Sequence, residues 1–235
     1  MIAVIKTFRR EDSCRRCVDS VHGELDIPVV VVDDSCDGED FGSDYLIRTP
    51  FDVGLSAGRN FGVKFASRLD DTILLLDDDH VIAPENGIHD AAWMLHKYDL
   101  VTGVPYMHGR HNPPYYWEWL FDFPAPREMV VRPQHERGIV HAANNFFLAR
   151  ASVFDEVLWD EDFKISAEHL DFYMQLYFAN KTVFYETNMT VDHLQDTSSA
   201  RYSDFRLGRL DQYDKAFMEK WDFVSLTATD HTRMP

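Results

Sequence analysis

The chain has 235 residues, 45% of them hydrophobic and 14% aromatic, which is enough to bury a substantial core as one domain or two fused lobes and too apolar for disorder. Its formal net charge of −17, with no evident basic patch to neutralise phosphates, excludes nucleic acid as a partner. The acid is mostly Asp, 28 against 12 Glu, and Lys (7) is scarcer than Arg (16), an imbalance resembling proteins of salt-loving organisms, where self-repulsion is screened.

Ile2 to Lys6 is a short β-branched run and predicts a strand, followed by a helix from Glu11 to His22 with Cys14, Cys17, Val18 and Val21 at helical spacing. Cys14 and Cys17 form a CxxC, but a zinc site needs more soft ligands than the lone Cys36 supplies, so they read as two small core residues one turn apart. An odd number of cysteines without a secretory signal points to a reducing, cytoplasmic compartment. Ile27 to Val32 is the clearest strand, ending in Asp33-Asp34-Ser35, and a weaker one covers Tyr45 to Ile47. Leu55 to Leu69 has a helix-like apolar spread opened by Gly54 and Gly58. Next, Ile73-Leu74-Leu75-Leu76 ends abruptly in Asp77-Asp78-Asp79-His80. Strands alternating with helices imply parallel βαβ units with right-handed crossovers. The carboxyl ends of the first, second and fourth strands then gather Thr7-Phe8-Arg9-Arg10, Asp33-Asp34-Ser35 and Asp77-Asp78-Asp79 on one edge.

Three adjacent carboxylates repel one another unless a cation joins them. Asp77 and Asp79 share a side in extended backbone, which suits a hard divalent ion that also holds a diphosphate; helix capping is the competing reading. Asp33 or Asp34 can accept hydrogen bonds from a base or ribose, and Arg59 can reach a phosphate. No Gly-x-Gly-x-x-Gly follows a strand and no Gly-x-x-x-x-Gly-Lys-Ser/Thr occurs, so dinucleotide oxidoreductases and P-loop NTPases lose their main support.

Tyr106 to Phe123 is rich in aromatics, prolines and histidines and reads as a flap that stacks on a sugar or as a satellite core under a loop. Ile139 to Arg150 reads as a strand rejoining the sheet, with a helical turn through Phe154. Phe163 to Asn180 opens with a polar turn and continues as an amphipathic helix with Glu168, His169 and Asp171 near its start; capping is the bland account of its acids. Thr182 to Tyr185 is a strand, and Val191-Asp192-His193 ends another, which makes His193 a plausible third metal ligand. Arg201 to Trp221 reads as one or two surface helices whose Arg201, Arg206 and Arg209 form a basic face or pair with nearby acid. No apolar run approaches the roughly 20 residues that cross a bilayer, so any membrane contact is peripheral.

The ordered set Val4-Ile5-Lys6-Thr7-Phe8-Arg9, Val32-Asp33-Asp34-Ser35, Ala57-Gly58-Arg59-Asn60, Leu76-Asp77-Asp78-Asp79, Asn145 to Arg150, His169-Leu170-Asp171-Phe172 and Val191-Asp192-His193 resembles the inverting nucleotide-sugar glycosyltransferases of the GT-A fold. Within them it is most similar to the β-1,4-N-acetylgalactosaminyltransferases of ganglioside synthesis and, more broadly, to glycosyltransferase family 2. The resemblance implies an α/β fold with a mostly parallel sheet flanked by helices, a GT-A domain over residues 1–196 and a C-terminal helical extension over 197–235. It implies a UDP-sugar donor, of UDP-GalNAc or UDP-GlcNAc type, and a glycan or lipid-linked acceptor, reached from the inner face of the membrane if lipid-linked. By the same resemblance Thr7, with Phe8 and Arg9, would contact the nucleotide, Asp34 or Asp33 the uracil or ribose, and Arg59 the base or diphosphate. Asp77 and Asp79 would hold Mn²⁺ or Mg²⁺, with His193 as a further ligand and Asp78 binding ribose or supporting the ligands from behind. The family's usual catalytic Asp aligns with His169, so either His169 takes the acceptor proton, the preferred reading, or Asp171 does so with His169 positioning the acceptor. A sugar-1-phosphate nucleotidyltransferase normally opens with a glycine-rich loop after its first strand, which Thr7-Phe8-Arg9-Arg10 lacks. A binding protein of the same fold without turnover is the other alternative.

Overall fold

The apolar runs of the first half become parallel strands because both of their faces are buried. The computed structural model describes residues 1–35, 40–107, 118–134, 136–194 and 210–228. Strands β1 (Ile2–Thr7), β2 (Val29–Asp33), β3 (Tyr45–Arg48) and β4 (Thr72–Asp77) alternate with helices α1 (Glu11–Leu25) and α2 (Leu55–Ala66). Alternate residues of β1 serve opposite faces. Ile2 and Val4 pack with Val63 and Ala66 of α2, whereas Ala3 and Ile5 pack with Cys14, Cys17, Val18 and Val21 of α1. Cys14 and Cys17 are therefore buried core thiols, as their spacing suggests.

After β4 come a two-residue strand β5 (His80–Val81), a short helix α3 (Ile88–Ala92), β6 (Leu100–Met107), β7 (Trp119–Asp122), β8 (Glu128–Pro133), β9 (Gly138–Val140) and β10 (Phe147–Arg150). Helix α4 (Glu168–Phe178), the long strand β11 (Val183–His193), α5 (Leu210–Lys220) and β12 (Ser225–Ala228) complete the order. The main sheet runs β3-β2-β1-β4-β10-β6-β11-β5, with β9 also on β11; β12, β8 and β7 form a second, three-stranded sheet. Among the described residues no helix is long and apolar enough to cross a membrane.

Four expectations change. The run Ile139 to Arg150 is two strands, because Ala142 to Asn145 leaves the sheet between β9 and β10, and β10 runs antiparallel to β4. The two strands expected around Thr182–Tyr185 and Val191–His193 are one, β11, whose register against β6 shifts between Tyr185 and Thr190. β6, β8 and β12 carry no alternation that the sequence displays. Part of the aromatic stretch is strand: Trp119 opens β7 and is buried, whereas residues 108–117 lie outside the described residues, as do Cys36, Arg201, Arg206 and Arg209. The expected C-terminal helix is α5, with Tyr213 and Phe217 buried against the core, and an unforeseen strand follows it.

Candidate functional site

β1, β2, β3, β4, β6 and β11 all run the same way, so their carboxyl ends share one edge, and β10, running against them, starts there. Thr7, Asp33, Asp77 and His193 are the last residues of β1, β2, β4 and β11.

The acidic triplet divides between two guanidinium groups. Arg10, at the junction of β1 and α1, donates from Nη1 to Asp78 Oδ1 and from Nη2 to Asp79 Oδ2, each at 2.6 Å. The Thr7 hydroxyl donates to the other Asp78 oxygen at 2.8 Å. Asp77 turns to α2, where Arg59 donates from Nη2 to its Oδ1 at 2.9 Å and from Nη1 to Glu168 Oε1 at 3.3 Å. Burial pushes the Asp78 carboxyl up to about 7 against the pull of Arg10. Asp79 is desolvated too, but its hydrogen bond with His193 and the charges of His193, His80 and Arg10 hold it well below the usual carboxylate range.

Asp79, His80 and His193 each offer one ligand atom within 4.8 Å of the others. β5 pairs antiparallel with the end of β11, setting His80 opposite His193, and the rings meet edge-on at 5.2 Å. His193 Nε2 lies 3.2 Å from Asp79 Oδ2. Burial brings His80 down to about 4, keeping it neutral as a ligand must be, whereas Asp79 raises His193 despite its burial. One carboxylate and two imidazoles fit a divalent ion of the Mn²⁺ type better than Mg²⁺, which prefers oxygen. Asp77, expected among the ligands, is not in this group, and His80 is.

Asp34 is buried with Lys6, whose ammonium binds it, and it also accepts the Gly54 N–H at 3.0 Å. Burial outweighs Asp34 and lowers the Lys6 pKa. Gly58 of α2 gives Lys6 its room, since a Cβ there would stand 2.3 Å from Lys6 Cδ and Cε. Asp33 accepts the Ser35 N–H at 2.8 Å and faces Arg48 at 3.5 Å. Beside them Phe8 and Phe51 lie 5.5 Å apart, with the Arg9 guanidinium 5.4 and 5.0 Å from their centroids.

His169, on the first turn of α4, is the open member of the remaining pair, with its side chain 39% exposed. Its Nε2 lies 3.4 Å from Glu168 Oε1. A guanidinium can only donate, so the Asn145 amide oxygen faces Arg59 Nη1 at 2.9 Å and its nitrogen faces His169 Nδ1 at 2.7 Å. Asp171 is fully buried on another side of the helix, held by Gln175 at 2.8 Å, Trp221 Nε1 at 2.9 Å and Lys220 at 2.7 Å. Burial raises its pKa in spite of Lys220. Arg10, His80 and Asn145 lie in stretches the sequence singles out, but no role attaches to any of them there. The one signal for Arg10 is that an acidic triplet at a strand edge needs a countercharge, and Arg10 follows the neighbouring strand.

The sequence of residues 2–158 matches the family described as Glycosyl transferase family 2. No curated protein sequence matches the chain. Solved structures share its fold. S. aureus TarS 1-349 in complex with UDP-GlcNAc is 17% identical, with a TM-score of 0.62 over 86% of this chain and 60% of that one. GalNAc-T7 with UDP, GalNAc and Mn²⁺ is 15% identical, with a TM-score of 0.63 over 84% of this chain and 44% of that one. A longer TarS structure is 17% identical, with a TM-score of 0.61 over 83% of this chain, and this chain spans only 36% of that one. Matched over most of its length by sequence and carrying the mostly parallel sheet of the GT-A fold, the chain belongs to glycosyl transferase family 2.

Proposed function

We propose that the chain transfers a sugar with inversion from a UDP-sugar to a hydroxyl of a glycan or lipid-linked saccharide, in a reaction that depends on Mn²⁺ or Mg²⁺. The observation that carries this reading is the convergence of Asp79, His80 and His193 from two strand ends at the carboxyl edge of a family 2 sheet. The titles of the TarS and GalNAc-T7 structures, with UDP-GlcNAc in one and UDP, GalNAc and Mn²⁺ in the other, support a donor of this type.

Asp79, His193 and His80 would hold the ion, with Asp77 behind them, fixed by Arg59. A bound divalent ion would supply positive charge where the departing diphosphate accumulates negative charge. Thr7 and Asp78 line the approach from β1, and the Phe8, Arg9 and Phe51 group offers a face for the base, with Asp34 and Asp33 behind it. His169 is the proposed base: its side chain is partly exposed, its Nε2–H faces the Glu168 carboxylate, which would stabilise the imidazolium, and Nδ1 would take the hydroxyl proton once the acceptor replaces the Asn145 amide N–H there. Asp171, enclosed by three donors, serves the seating of α4. A lipid-linked acceptor would be met at the inner membrane face through peripheral contact.

Thermal shift across a panel of nucleotide sugars, with Mn²⁺ or with EDTA, tests the reading. UDP-GlcNAc or UDP-GalNAc should stabilise the protein only with the ion, and Asp79→Asn should abolish the shift. No shift with any donor would overturn the reading. His169→Asn should retain the shift while slowing single-turnover transfer by about 10²–10⁴-fold, the usual contribution of a positioned base.

A further inference from the structure

Arg10 holds the carboxylate that an ion at this edge would need. Its guanidinium spans Asp78 and Asp79 through two nitrogens, each at 2.6 Å. The Asp79 oxygen it takes, Oδ2, is the one 3.2 Å from His193 Nε2. Asp79, His193 and His80 are also the side chains that converge closely enough to share an ion. The guanidinium and a divalent ion therefore claim one carboxylate, at a separation where like charges repel strongly. With the Arg10 side chain 11% exposed and the two carboxylates 6% and 7%, little water is present to screen that repulsion. Arg10 sits on the non-helical junction before α1, with φ −128° and ψ 54°, so its side chain is carried by the turn and not by a packed helix face.

We propose that Arg10 is the resident countercation of the Asp78–Asp79 pair and that it couples ion binding to diphosphate binding; this rests on the metal-dependent reading above. An ion arriving alone must push the guanidinium off Asp79 without supplying an anion in place of that carboxylate. An ion arriving with a nucleoside diphosphate brings phosphate oxygens that the displaced fork can grip through two hydrogen bonds. Ion and diphosphate thus bind with positive coupling, and Arg10 positions the donor.

Calorimetric Mn²⁺ titrations of the wild type, Arg10→Gln and Arg10→Lys, each with and without UDP, test the inference. Arg10→Gln should bind Mn²⁺ alone about tenfold more tightly than the wild type and lose most of the tightening that UDP confers, within the roughly 5–150-fold range of ordinary coupling between sites. Arg10→Lys, whose single ammonium cannot span both carboxylates, should fall between them. Equal Mn²⁺ affinities of the wild type and Arg10→Gln without UDP would overturn the inference and leave the metal-dependent reading standing. Failure of every protein to bind Mn²⁺, with or without UDP, would overturn both. Should Arg10→Gln not fold, Arg10→Lys decides: a gain of a few-fold without UDP supports the coupling, and equality with the wild type sinks it.

Discussion

A carboxylate removed from water needs a cation within reach, and Lys6 with Asp34 shows how tightly that requirement is met here. Their side chains are 3% and 2% exposed. Lys6→Met should leave Asp34 buried opposite the Gly54 N–H alone and lower stability by about 3–5 kcal/mol, the usual effect of stripping one partner from a buried pair. Adding Asp34→Asn should recover most of the loss, because the amide keeps an acceptor for Gly54 without the charge. Urea denaturation midpoints check both, and an unmoved midpoint for Lys6→Met would contradict the burial of the pair. The membership of this edge is legible in the sequence, because βαβ alternation alone brings Thr7, Asp34 and Asp77 to Asp79 together. The direction of each side chain is not. Arg59 reads as a phosphate ligand, but its place on the buried face of α2 sets it between Asp77 and Glu168, where it compensates two carboxylates.

At the scale of elements, the position of His193 depends on a bulge. Between Tyr185 and Thr190, β11 departs from its register with β6, and two glycines admit the departing backbone. A Cβ at Gly103 would stand 2.3 Å from the Met189 carbonyl oxygen, and one at Gly87 2.2 Å from that of Asn188. Gly87 also has φ +64°, which a side chain resists. Gly87→Ala should therefore cost about 1–3 kcal/mol of stability and weaken Mn²⁺ binding as well, by moving the end of β11 away from β5. Gly23→Ala in α1, where a Cβ meets nothing within 4 Å, is the control and should be neutral or stabilising in the same melts. The bulge also explains why β6 escapes a reading of the sequence. Glycine and proline ordinarily interrupt a strand, yet Gly103 is the accommodation β11 requires and Pro105 pairs in register with Val191. Only partners distant in sequence make that strand.

For the molecule as a whole, the net charge of −17 sets a response to salt. Many of its acids are already paired inside the fold, so the surplus that salt can screen lies on the surface. The melting temperature should rise with sodium chloride from low ionic strength into the molar range, whereas full stability in salt-free buffer would show that surface repulsion is not limiting. The α/β class and the order of the first four strands are legible because local periodicity and chain order determine them. The second, three-stranded sheet is not, because β12 joins β8 from the far end of the described chain and nothing near either strand announces the other.

That late pairing bears on how the protein is made. Chains emerge from the ribosome amino end first, so α4 appears before Lys220 and Trp221, the residues that later enclose Asp171, have been synthesised. During that interval Asp171 lacks two of the three groups that enclose it, although Phe172 already has Phe147, Phe154 and Trp159 to stack on, and β1 to β4 already have their partners. The first four strands of the sheet are thus complete before the residues that enclose Asp171 on the helix carrying His169 have been made.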